Sequence, residues 1–176
     1  MTPAQLLTLK NAILAEPELS EFVSSGNDTG IANWLNTTAS PDFMIWRSNA
    51  STEDIVDAIT WASLTPDTNP DATAAWGNRA AACRCRQLNL AILLHQSTLN
   101  ATKANIRQGI QDALTNVPSG IAGALKNAGT ATALLAMQRK ANRFEKIFST
   151  PVSGANVASI EGNISTSDIA TALRGE

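Results

Sequence analysis

The chain has no tyrosine, one histidine, two cysteines, four phenylalanines and four tryptophans in 176 residues. Aromatic side chains make up 5% of it, too few for a sugar-binding cleft or for the stacking platform that single-stranded nucleic acid needs. His95 is the only imidazole, and with Cys83 and Cys85 it falls short of a four-ligand zinc site. Seven prolines and ten glycines exclude collagen-like sequence. No apolar run approaches the roughly 20 residues needed to cross a bilayer. The opening Met1–Lys10 lacks the basic-then-apolar order of a secretory signal. The expectation is a soluble protein made in a cytoplasm, with no membrane contact, no metal and no cofactor.

Nucleotide and catalytic motifs are missing as well. There is no G-x-x-x-x-G-K-[ST] and no G-x-G-x-x-G, and Gly120-Ile121-Ala122-Gly123 is too sparse for a phosphate loop. His95 follows an apolar run and precedes Gln96-Ser97-Thr98, a setting that fits a helix C-terminus better than a nucleophile–base pair. Cys83 and Cys85, two apart on a helix, point to nearly opposite sides, so an internal disulfide is geometrically poor and Cys83 is expected in the core. Glu53, Asp54 and Asp57 occupy the first turns of a helix, where the dipole already accounts for them. No enzymatic activity is expected.

What is present is helical. Thr2-Pro3-Ala4-Gln5 is a capping box with proline at the first helical position, followed by Leu6, Leu9, Ile13 and Leu14. Further helices are expected from Glu18 to about Ser24, from Asp28 or Thr29 through Leu35, and after the cap signal Ser51-Thr52-Glu53-Asp54. A longer one starts near Asp71, with Trp76, Ala80, Cys83, Leu90 and Leu94 in one stripe and Arg79 and Arg86 bordering it. Ile106, Ile110, Ala113, Leu114 and Val117 define another. The last strong helix is expected from Thr130 to Phe148, placing Arg139, Arg143 and Lys146, with Lys140 adjacent, on one exposed basic face. Ser149–Asn156 reads as a linker, a short strand or hairpin is expected around Gly162, and Ser165–Asp168 caps a final helix. The expected fold is mainly α: a single compact helical domain over residues 1–148, with residues 149–176 as a C-terminal arm.

Charge is segregated along the chain. Residues 1–78 hold ten acidic and two basic side chains, and residues 79–146 hold ten basic and two acidic. Complementary surfaces on one chain suit head-to-side binding of copies. The candidate interface therefore joins Arg139, Lys140, Arg143, Lys146, Arg79 and Arg86 to an acidic patch containing Glu53, Asp54 and Asp57. Of Trp34, Trp46, Trp61 and Trp76, most are expected in the core and one or two at an interface.

Several segments add a resemblance. They are Met1–Lys10 with Ile13–Leu19, then Ser40-Pro41-Asp42-Phe43 with Trp46-Arg47, and Lys103–Gly109. Further on come Arg139–Phe148 and Glu161-Gly162-Asn163-Ile164-Ser165 with Asp168. Together, in this order, they resemble a family of small structural proteins of tailed bacteriophages found among head and neck genes. The resemblance implies a virion protein: a head-to-tail connector (adaptor) subunit, assembled in the host cytoplasm and forming a ring beneath the portal in the neck. Its partners would be its own copies, the portal and tail or neck proteins, with incidental contact to packaged DNA. The motifs would serve folding or subunit contact. Two alternatives stand beside this one: a capsid decoration or cement protein, and a small nucleic-acid-binding protein using residues 79–146.

Overall fold

The computed structural model describes residues 1–65, 76–115 and 127–175, apart from the side chains of Trp76, Asn78 and Arg79. In chain order the helices are α1 (Pro3–Ala15), α2 (Ser20–Ser24), α3 (Asp28–Asn36), α4 (Thr52–Asp57), α5 (Trp76–Leu93), α6 (Ala104–Leu114), α7 (Thr130–Ala136), α8 (Arg143–Ile147) and α9 (Thr166–Arg174). The strands are β1 (Met44–Trp46), β2 (Ala50–Ser51), β3 (Thr98–Leu99), β4 (Gln138–Lys140), β5 (Ser149–Val152) and β6 (Ala155–Ala158). Single 3₁₀ turns occupy Pro17–Leu19 and Trp61–Leu64.

The mainly-α expectation is overturned. A four-stranded mixed sheet runs β4-β1-β6-β5, and β2 pairs antiparallel with β3, so the fold is mixed α/β. Strand β6 is parallel to β1, with Ile45 opposite Asn156, and antiparallel to β5. The strands escaped the sequence because they are only two to four residues long, too short for a period-2 pattern to show.

Two compact units divide the chain, one of Met1–Ile45 with Lys140–Glu176 and the other of Trp46–Arg139. The first unit is built on the expected caps. Thr2 and Gln5 form the reciprocal capping box of α1, and Ser165 and Asp168 form that of α9. Asn27, one residue before the expected cap, accepts from the Gly30 amide to start α3. Leu9 and Ile13 of α1, Ile31 and Leu35 of α3, Phe144 of α8 with Phe148 just past its end, and Ile169 of α9 form one buried cluster. Burying a side chain of that size contributes about 1.5–3 kcal/mol.

The residues expected as an arm are part of this unit. Strands β5 and β6 form the hairpin, turning at Ser153-Gly154 and not at Gly162. Helix α9 packs against α1 and α3. The side chain of Asn36 pairs with the Ile164 backbone in both directions, at 3.0 and 2.8 Å, as a neighbouring strand would. The division at 148/149 expected from composition thus differs from the structural one, which falls at 45/46 and 139/140.

The long helix expected over Thr130–Phe148 is also broken. Helix α7 stops at Ala136, the chain runs extended through β4, and Asn142 caps α8 with Glu145 completing a capping box. Backbone pairing outweighs helix propensity at this point: the Ala39 amide donates to the Ala141 carbonyl, and the Ala141 amide to that of Phe43.

In the second unit α5 packs on α6, α6 on α7, and α4 on α7. Ser51 caps α4 as expected. Cys83 and Leu90 are buried on α5 while Cys85 is exposed, and neither cysteine is in a disulfide. Ile110, Ala113 and Leu114 are the buried face of α6. Val117, Gly120–Gly123 and the expected helix start near Asp71 lie outside the described residues.

Candidate interaction surface

In the first unit a notch of about 390 Å³ opens between Glu16, Glu18, Trp34, Ser40, Arg143 and Lys146. Helix α3 presents Trp34, and α8 presents both cations from successive turns. The Arg143 guanidinium carbon lies 3.9 Å from the centre of the Trp34 ring. The indole Nε1 donates to Glu18 Oε2 at 2.7 Å, and Arg143 Nη1 lies 4.0 Å from the same oxygen. Lys146 Nζ sits 5.6 Å from the centre of the Phe43 ring. A half-buried cation on an indole gains about 0.5–1 kcal/mol, and the shared carboxylate fixes the arrangement. Two acidic and two basic groups around an aromatic wall suit docking of a protein segment more than binding of a polyanion.

The expected basic stripe does not exist as one helix face. Arg139 and Lys140 are on β4 and Arg143 and Lys146 on α8, with the unit boundary between Arg139 and Lys140. Lys140 pairs with Asp42 at 2.7 Å. Arg86 is not an interface residue: it is 3% exposed and donates to the Ala113 and Leu114 carbonyls, both at 2.7 Å. It pairs with carbonyls at the end of α6, of which that of Leu114 also accepts from the Ala128 amide, and the helix dipole there favours a cation. Burial pushes its pKa down, while nearby Cys83 acts the other way. The Arg79 side chain lies outside the described residues.

Among the acidic candidates, Glu53 is exposed in the first turn of α4 and Asp57 ends that helix. Asp54 pairs with Arg47 at 3.1 Å. Charge matching expected between copies is therefore partly met within each unit. By unit, the first holds nine acidic and five basic residues and the second eight basic and six acidic, giving −4 and +2.

Of the three tryptophans whose side chains are described, Trp46 alone is in the core, and Trp34 is half-buried. Trp46 is 2% exposed with Arg107 5.0 Å above its ring, whereas Trp61 is half exposed and walls an apolar notch with Val56, Leu90 and Leu94. His95 lies just past the end of α5, its Nδ1 2.7 Å from the Ile92 carbonyl oxygen.

Sequence reasoning missed Glu145, a buried carboxylate of the first unit. It is 1% exposed, accepting from the Asn142 amide at 3.0 Å and the Gly162 amide at 2.7 Å. Asn142 in turn donates to the Gly162 carbonyl at 2.9 Å. The signal was available, since Asn142-Arg143-Phe144-Glu145 has the spacing of a capping box.

Comparison with known proteins gives no match: no family model, no curated protein and no solved structure is similar to this chain.

Proposed function

We propose that the chain is a structural virion protein of a tailed bacteriophage, a head-to-tail connector (adaptor) subunit that forms a ring beneath the portal. What carries the reading is where the resembling segments fall. Residues 40–45, 140–148 and 161–165 of these segments meet in the first unit through the Ala141–Phe43, Asn142–Gly162 and Glu145–Gly162 bonds. In the second unit Ala101 donates to the Arg47 carbonyl, and Arg107 Nη1 to the Ala101 and Thr102 carbonyls, both at 2.8 Å. The resemblance thus rests on segments whose residues join one part of the chain to another.

Exposed apolar side chains support a subunit role. Leu7, Leu14, Trp61, Leu88, Ile92 and Leu135 are each half exposed or more, and grouped exposed apolar surface marks association sites. The nucleic-acid reading loses Arg86, which is consumed internally. Copy number in purified particles tests the proposal against capsid decoration. A neck component is present at one ring's worth per particle; a lattice-wide number, or absence from particles, refutes the connector assignment.

A further inference from the structure

Two helices carry exposed ridges of the same form. On α5, Ala81, Cys85, Leu88 and Ile92 are all exposed at spacings of four, three and four residues. On α1, Ala4, Leu7, Asn11 and Leu14 are all exposed at three, four and three. Those are the alternating spacings of a coiled-coil seam. Their leucines and isoleucine are the most exposed large aliphatic residues of their helices: Leu88 61%, Ile92 62%, Leu7 59% and Leu14 56%. At 1.5 Å per residue the ridges are about 15–17 Å long, so one covers the other end to end.

Charge decides which ridge faces which. Helix α5 has no acidic residue, and, with Arg86 buried, Arg84 is exposed beside the ridge. Helix α1 leads into Glu16 and Glu21, with Glu18 already held by Trp34 and Arg143, while its one cation, Lys10, is engaged with the Leu173 carbonyl at 3.1 Å. Like ridges facing each other would bring like charges together; unlike ridges bring opposite ones.

We propose that the α5 ridge of one copy docks antiparallel on the α1 ridge of the next. Antiparallel alignment sets Arg84 near the Leu14–Glu16 end, Leu88 against Leu7 and Cys85 against Asn11. The contact joins two different surfaces, so it propagates from copy to copy and closes into a ring when the rotation permits. This inference rests on the self-associating subunit of the preceding section and names its interface.

Asn11→Cys tests it, using natural Cys85 and a short bis-maleimide linker, with light scattering on the same samples. The expected result is a ladder of dimers, trimers and larger species that wild type does not give. Mixing wild type with Asn11→Cys/Cys85→Ser is expected to stop the ladder at dimers. Cys85–Cys85 dimers from wild type overturn the proposal in favour of paired α5 helices. An oligomer by light scattering without the ladder overturns the ridge pairing and leaves self-association standing. Monomer throughout overturns both.

Discussion

Glu145 accepts a hydrogen bond from the amide of Gly162 at 2.7 Å, tying the start of α8 to the loop that leads into α9. Gly162 has φ +107°, a left-handed conformation that favours glycine, so the loop presents its amide without strain. Because Glu145 is buried, removing it leaves two amides without their acceptor. Glu145→Ala is expected to cost about 3 kcal/mol by urea unfolding. A loss within 0.5 kcal/mol would show that the junction is replaceable.

Arg86 makes the corresponding connection in the second unit. Arg86→Met keeps much of the volume but removes the guanidinium from the Ala113 carbonyl and leaves the Leu114 carbonyl with the Ala128 amide as its donor. The expected cost is about 2–4 kcal/mol, with Arg86→Lys recovering only part because an ammonium lacks the guanidinium fork. Equal stability of the lysine and arginine forms would contradict the two-carbonyl role.

Arg143 and Trp34 should be coupled. A double-mutant cycle with Arg143→Ala and Trp34→Leu is expected to return about 0.5–1 kcal/mol of interaction energy. It follows that reversing Arg139 and Arg143 to glutamate lowers the melting temperature of the isolated protein before it acts on assembly. Unchanged melting with lost assembly would restore the sequence-based picture of a solvated stripe.

Asp28 and Arg174 close the first unit, with Arg174 Nη1 3.1 Å from Asp28 Oδ1. Hydrogen bonding from Arg174 holds the Asp28 carboxyl below its ordinary 3.8, against a smaller opposing push from burial. A lowered native value means the pair's stabilisation is complete above pH 3.8. It begins to fall away below that, and is gone once pH drops beneath the native value. Arg174→Ala should therefore lower stability at pH 7 and bring the variant and wild-type curves together at strongly acid pH. A gap that widens on acidification would contradict this assignment.

Much of the first unit was legible in the sequence because its signals are local. The Thr2–Gln5 and Ser165–Asp168 capping boxes fixed two helix starts, and the 3.6-residue spacing of Leu9, Ile13, Ile31 and Leu35 marked the core. The sheet was not legible, since strands β1 and β4 owe their existence to partners far along the chain. Residues 130–148 show the conflict directly. Their apolar spacing fits one helix, yet the Ala39–Ala141–Phe43 hydrogen bonds pull the middle into extended form. The candidate interface suffered most, because a stripe argument assumes one continuous helix. Arg86 was misplaced for another reason: a charged residue bordering an apolar stripe reads as exposed, and only the end of α6 gives it a buried partner.

Self-association is the central claim, and the mass of the intact protein in solution, alone and with the portal protein proposed as its partner, tests it most directly. The account predicts a discrete closed oligomer in at least one of the two conditions, dispersed to smaller species by Leu88→Asp. Monomer in both conditions contradicts it.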